Sequence, residues 1–390
     1  MDLAGIQRSL TECSLDGWLL YDFHGSNPIA RGVIGLGPDR ISTRRWFGLV
    51  PASGEPIWLH HAIEAHLFAR LPGRRLAFVG YRELREKLRR ILAGLKTVAM
   101  EYVPAGAIPY VSRVDAGTVE LVREAGPEVV SSADLVQHFE ARWSPEGLAS
   151  HRRAVRALTE VLHATLDEVG RVVRAGGSID EYGLQQFMGA QFRARRMHFE
   201  PPIVAVNAHS GNPHYEPRRA GSALIRRGDL LLLDLWCREQ GEESIWADIT
   251  WMAYLGPTVP DRHREIWEIV AGARDAAVAF LKERAARGEV IHGAEVDDVA
   301  REHIRRRGYA ERFLHRTGHS IGREVHGNGC NIDNLETVDA RRLIPRTGFS
   351  IEPGIYLQDF GVRSEIDVYM DERSAEVTTP VQDRIIPLLP

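Results

Sequence analysis

The sequence predicts two domains, an α/β domain followed by an α+β domain, and three observations carry that expectation. At 390 residues the chain is longer than one hydrophobic core usually supports, a domain commonly running to roughly 100–200 residues. Over the first part of the chain, short apolar runs alternate with amphipathic stretches, the rhythm of strands and helices in an α/β domain. At Trp143 the pattern changes to two consecutive helices, after which strands, helices and further short strands follow in blocks.

In the first domain the apolar runs at 17–21, 46–50, 57–60, 76–79 and 98–102 read as strands and the stretch 84–95 as an amphipathic helix. Ser53-Gly54, between two of these runs, reads as a hairpin turn. Trp143-Ser144-Pro145-Glu146 then supplies a capping serine, a proline at the first helical position and an acidic first turn, opening a long helix to about Arg174. This places the domains at 1–143 and 144–390. Gly176-Gly177 breaks the helix, and Ser178-Ile179-Asp180-Glu181 matches a capping box that starts the next one. Residues 229–235, four consecutive leucines ending in Asp234, predict a strand buried on both faces, and a second strand near 245–255 carries Asp248. Helical patterns at 261–287 and 294–307 end at Gly288 and Gly308, and short strands at 349–351 and 362–370 close the domain.

Composition narrows the function. Hydrophobic residues make up 44% and charged residues 26%, values of an ordinary folded protein rather than a disordered or fibrous one. The formal charge of -4, from 49 basic and 53 acidic residues, creates no strong field for nucleic acid or an anionic membrane. A small-molecule or peptide partner is favoured, with no nucleic acid and no membrane. Three cysteines, Cys13, Cys237 and Cys330, have neither zinc-finger nor CxxC spacing and support no disulfide framework. The N-terminus lacks a basic start followed by an apolar core, and no segment approaches the ~20 apolar residues of a membrane span. A reducing, cytoplasmic compartment is the resulting expectation.

Five residues of the second half stand out: Asp234 after LLLL, Asp248 in WADIT, His319 in TGHSIG, Glu352 in FSIEPG and Glu365 in GVRSEID. Carboxylates are expensive to bury unpaired, so several of them in strand-like segments beside a histidine point to a shared site. Their local sequences, strongest at TGHSIGREVHG (317–327), IEPGIY (351–356) and GVRSEIDV (361–368), resemble the motifs of the pita-bread metallopeptidases: methionine aminopeptidase, prolidase, aminopeptidase P and creatinase. The resemblance covers residues 146 to the C-terminus. The preceding part is similar to the creatinase-type N-terminal domain, most clearly in DGWLLYDFHGSNPIARGVIGL (16–36). Methionine aminopeptidases lack that domain, so the resemblance puts the chain on the Xaa-Pro branch.

The resemblance implies a dinuclear site in which Asp234 chelates one metal, His319 and Glu352 bind the other, and Asp248 and Glu365 bridge the pair. A hydroxide between the metals would be the nucleophile. Oxygen-rich ligation with one imidazole suits manganese, cobalt, zinc or iron better than copper, with manganese favoured by the family. His214 in NPHYEP and His326 in EVHG match two active-site histidines that would donate hydrogen bonds, His326 to the developing oxyanion and His214 near the scissile amide. Glu352 is also the candidate proton shuttle. Arg363, placed on the face of Glu365 by the two-residue strand period, would hold a substrate carboxylate or orient Glu365. Thr250, two residues beyond Asp248, could hydrogen-bond a ligand carboxylate or be simply a β-branched strand residue. Gly318, Gly322 and Gly354 suggest close backbone approach or sharp turns. The implied activity is hydrolysis of Xaa-Pro bonds in small peptides, of aminopeptidase P or prolidase type, by a homodimer; the alternative is a same-fold hydrolase or lyase acting on a small non-peptide amino-acid derivative.

Three features depart from the family pattern. Asp248 follows Asp234 by 14 residues, a long hairpin; Trp251 stands where relatives often carry arginine; and His209 is an additional histidine. They bear on substrate identity more than on metal binding.

Overall fold

A six-stranded sheet organises the first of two units into which the chain divides, Met1–Glu140 and Ala141–Pro390. The computed structural model describes residues 1–37 and 39–390. Its strands are β1 (Gly17–Asp22), β2 (Trp46–Pro51), β3 (Ile57–His61), β4 (Arg74–Phe78), β5 (Thr97–Met100) and β6 (Glu128–Ser131), in the order β4-β3-β2-β1-β5-β6. Gly54 takes the turn between β2 and β3 with φ of 96°, a conformation that glycine adopts without a Cβ penalty. Strand β6 was not foreseen: only Val129 and Val130 are apolar in it, too short a run to read against its neighbours.

Alternation along the strands gives the sheet two buried faces. Trp18, Leu20, Trp46 and Val50 pack with residues of helices α1 (Leu3–Glu12) and α2 (Pro28–Val33). Leu19, Tyr21, Phe47 and Leu49 pack on the other face with α3 (Tyr81–Leu92) and α4 (Ala116–Glu124). A short α5 (Ala133–Val136) follows β6.

In the second unit, α6 (Pro145–Arg174) begins as its sequence dictates, with Ser144 Oγ accepting from the amide of Gly147 at 2.9 Å and Pro145 in the first turn. Trp143 packs in this unit, its indole donating to the carbonyl of Ile321 at 2.9 Å. For α7 (Glu181–Ala194) the capping-box reading is corrected. The N-cap is Asp180, whose carboxylate accepts from Gly183, and not Ser178, and Glu181 turns inward instead.

The sheet that follows contains β7 (His198–Phe199), β8 (Ile203–Val206), β9 (Leu230–Arg238) and β10 (Ala247–Tyr254), with β17 (Ile386–Pro387) at its edge. Leu231, Leu233 and Leu235 face α6 and α7, while Leu230 and Leu232 face the cluster built by α8 (Asp261–Ala286) and α9 (Gly293–Arg306). That two-sided burial is why the leucine run has no polar alternation. The antiparallel register pairs Thr250 with Asp234 and Asp248 with Trp236, which puts both aspartates on the α8 and α9 face. The pairing, and not the length of the hairpin loop, sets that face. The side-chain amide of Gln382 both donates to and accepts from the backbone of Met252, hydrogen-bonding β10 on the edge away from β9.

A second sheet, β11 (Ser320–Ile321), β12 (Thr347–Ile351), β15 (Ile366–Met370) and β16 (Ala375–Val377), and the ribbon of β13 (Gly354–Tyr356) with β14 (Gly361–Arg363) complete the unit. The strand expected at 362–370 is two strands, interrupted at Ser364-Glu365. Among the described residues no helix is long and apolar enough to cross a membrane.

Candidate metal centre

The strand ends converge on one cluster of acids. Asp248, His319 and Glu365, all buried, each offer a ligand atom within 4.8 Å of the others. His319 Nε2 lies 3.4 Å from Glu352 Oε1, 3.8 Å from Asp248 Oδ2 and 3.9 Å from Glu365 Oε1. Asp234, on the neighbouring strand, is turned toward the guanidinium of Arg363.

Backbone and side-chain contacts fix these groups. The His319 amide donates to Ser350 Oγ at 3.0 Å, and the same hydroxyl donates to Glu352 Oε1 at 3.2 Å. A Cβ at Gly318 would lie 1.9 Å from the carbonyl oxygen of Ser350, so the approach of this segment to β12 requires glycine. Gly322 has open space around it, and no such requirement exists there. Thr250 Oγ1 accepts from Arg363 Nε at 3.0 Å and donates to Glu365 Oε2 at 2.8 Å. Arg363 and Glu365 therefore meet at one hydroxyl although the chain breaks between their strands, a geometry the two-residue period could not supply. Buried Arg274 of α8 donates to Ser364 Oγ at 2.7 Å, at the break itself.

Arg363 spends its remaining donors on Tyr356 Oη at 3.1 Å and the Pro213 carbonyl at 3.3 Å. Tyr356 in turn pairs with His315 Nε2 at 2.7 Å. Asp367, fully buried, accepts the Asp248 amide at 2.9 Å. Sequence reasoning missed these partners. The signal for Asp367 lies two residues past Glu365 on the same motif; Tyr356 lay within a motif already singled out.

Electrostatically the cluster is frustrated as it stands. Burial raises Asp248 and Glu365 well above the carboxylate range, with Asp234 adding to the rise at Asp248 and Asp248 adding to that at Glu365. Burial also pushes Glu352 up to about 7 and raises Asp234, which Arg363 partly opposes. His319 is held well below its ordinary value by burial and then by His326, so its imidazole is neutral, the form that ligates metals. Asp248 Oδ1 and Glu365 Oε1 are buried with no hydrogen-bond partner among the described residues. Two orphaned carboxylate oxygens facing a neutral imidazole fit divalent cations, which would supply the missing partner and neutralise the repulsion.

The remaining predicted residues border the cluster. The ring of His326 stands 4.3 Å from that of His319, edge to face; desolvation, then Arg316, pulls its pKa down to about 4. His214 is exposed, next to the Pro213 carbonyl that Arg363 holds, and lines a cavity of about 440 Å³ with Tyr215 and Arg218. Of the departures, Trp251 lies on the opposite face of β10, packed in the α6 and α7 cluster away from the acids. His209 is held by Glu181, with Nδ1 2.9 Å from both carboxylate oxygens.

Known proteins share this arrangement of chain. The profile of metallopeptidase family M24 matches residues 149–372. The Xaa-Pro dipeptidase of Pyrococcus furiosus is 33% identical over 256 residues, 65% of this chain and 67% of the relative. That of Lactobacillus helveticus is 37% identical over 166 residues, 42% of this chain and 40% of the relative. Several such matches, an uncharacterised peptidase of Bacillus subtilis among them, span only 40 to 46% of the relative's length. Among solved structures, a dipeptidase from Pyrococcus horikoshii OT3 superposes over the whole of both chains with a TM-score of 0.66 at 26% identity. The dipeptidase PepE of Mycobacterium ulcerans, at 21% identity, shares the fold with a TM-score of 0.72 over 100% of this chain and 97% of its own. Because the family profile runs through more than half of the sequence and spans all five residues of the cluster, the chain belongs to metallopeptidase family M24 and has its pita-bread fold.

Proposed function

We propose that the chain hydrolyses the bond between a first residue and proline in small peptides, using two divalent cations held by Asp234, Asp248, His319, Glu352 and Glu365. The observation that carries it is the pair of orphaned carboxylate oxygens, on Asp248 and Glu365, beside a neutral His319. The choice of substrate is supported by the relatives' names, Xaa-Pro dipeptidase in both quoted above. Bound cations supply an activated water at neutral pH and polarise a carbonyl.

The protein's own groups do the rest. Glu352, oriented by Ser350 Oγ, can take a proton and return it to the departing amine. His326, neutral above pH 4, has a ring N–H to donate to a developing oxyanion. His214, exposed in the loop before β9, would donate near the scissile amide, as the resemblance of its motif implies. Arg363 and Thr250 orient Asp234 and Glu365, since the guanidinium's donors are already engaged by the site. Manganese as the working ion and a homodimer belong to the same proposal and rest on the resemblance of the motifs; a cytoplasmic location rests on three cysteines that support no disulfide framework.

The test is a panel of an Xaa-Pro dipeptide, an Xaa-Pro tripeptide and a non-proline control, given to metal-stripped protein with manganese restored. Cleavage confined to the proline substrates and abolished by Asp248→Ala is the expected result. The dipeptide-to-tripeptide ratio then separates prolidase from aminopeptidase P. Protein that binds two metals yet cleaves none of them refutes the peptidase reading and moves the search to small amides and lyase substrates.

A further inference from the structure

Glu181 is a fully buried carboxylate that the metal cluster does not use. It sits in the first turn of α7, where the helix dipole favours a negative charge. All its acceptor capacity goes to one loop. The amide of Val206 donates to Oε1 at 2.8 Å and the amide of Ala223 to Oε2 at 2.8 Å. Between those ends, Tyr215 Oη donates to Oε2 at 2.6 Å and His209 Nδ1 lies 2.9 Å from both oxygens. The rings of His209 and Tyr215 stack with centroids 4.4 Å apart. The far end of the loop is tied again at Ile225, whose amide donates to the Ile179 carbonyl. The near end is fixed by Ser210 Oγ, which accepts from the Gly361 amide at 2.9 Å on the strand bearing Arg363.

Residue 214 lies at the centre of this loop. Its neighbour Tyr215 points back to Glu181 while His214 is exposed, and the Pro213 carbonyl on its other side accepts from Arg363 Nη1 at 3.3 Å, the guanidinium that also pairs with Asp234. We infer that Glu181 is a positioning residue: through Tyr215 and His209 it holds the 207–223 loop in one conformation and so sets the imidazole of His214 against the metal-bearing face. The inference deepens the proposed function and rests on the role given there to His214. It also gives the extra histidine a place, as one arm of the clamp rather than a ligand.

The clamp makes a mechanism-specific demand. A loss at Glu181, His209 or Tyr215 must act through His214 and not through the metals or the fold. The experiment uses the full chain loaded with manganese and compares Tyr215→Phe, His209→Leu, Glu181→Gln, His214→Ala and the double variant His214→Ala/Tyr215→Phe. Tyr215→Phe keeps the ring stack and removes one hydrogen bond, so the protein folds even if Glu181→Gln does not. The expected result is a fall in kcat on the Xaa-Pro substrate of roughly 10- to 100-fold, the scale of an ångström-level misplacement, with KM and metal stoichiometry little changed. In the His214→Ala background, Tyr215→Phe adds no further loss. Wild-type kcat in Tyr215→Phe, or full additivity with His214→Ala, overturns the inference. Hydrogen exchange read in parallel needs no substrate. Faster exchange confined to 207–223 in Tyr215→Phe supports the clamp, and unchanged exchange overturns it. A wild-type protein inactive on every peptide of the panel with that exchange signature present would sink the peptidase reading while leaving the clamp standing.

Discussion

Replacing Arg363 by methionine tests whether the acid cluster is built around cations. Arg363 is 4% exposed, and its guanidinium bonds Asp234, Thr250, Tyr356 and the Pro213 carbonyl. Methionine keeps much of the bulk and removes the charge, leaving Asp234 beside three other buried acids. Breaking a buried ion pair by deleting one partner costs about 3–5 kcal/mol. For a unit the size of 141–390, each kcal/mol is worth ~2–4 °C of Tm, so the chelated variant is expected to melt roughly 6–20 °C below chelated wild type. With manganese bound, Asp234 has another positive partner and the deficit shrinks to less than half. Thermal unfolding of both proteins, with chelator and with excess manganese, measures the two differences. An equal deficit in both conditions would refute the reasoning, because Arg363 would then be acting by packing alone.

Asp248→Asn removes one of the mutually repelling acids. The metal-free variant is expected to be more stable than metal-free wild type by ~1–3 kcal/mol yet to gain nothing from manganese, which calorimetry with and without chelator reads directly. Burial brings His151 from 6.5 down to about 4, its nitrogens bonding the Trp246 carbonyl and Thr378 Oγ1. A depressed base binds fewer protons folded than unfolded, so its contribution is intact above pH 6.5 and is lost as pH falls toward 4. The loss is about 3 kcal/mol at 1.36 per pH unit, and urea titrations at pH 7 and 4 should show it in wild type and not in His151→Gln. Gly348→Ala would put a Cβ 2.0 Å from the indole of buried Trp143. It should lower stability by ~1–3 kcal/mol, measured by chemical denaturation.

The acids were legible because each follows a strand run or sits in a distinctive motif, and costly buried charges in such places imply a common partner. The long helix at Pro145 was legible from local capping chemistry. What the sequence hid were relations across distance. Glu181 reads locally as a helix-start residue, and only folding brings Val206, His209, Tyr215 and Ala223 to it. Arg363 and Glu365 read as one strand face, whereas they meet through Thr250, more than a hundred residues earlier in the chain. Trp251 drew attention as a departure near the ligands, and the strand's own alternation places it on the other side of the sheet.

The ladder that fixes both aspartates ends at the pair Ala247 and Cys237. Gln240, Gly241, Glu242 and Glu243, at the tip beyond it, are exposed and contribute nothing to the register. Lengthening that tip leaves every cross-strand partner in place, so it is a permissive point for insertion. A fluorophore or a short affinity peptide grafted at Glu242 would leave the register of the two aspartates in place and report on the protein from the solvent side.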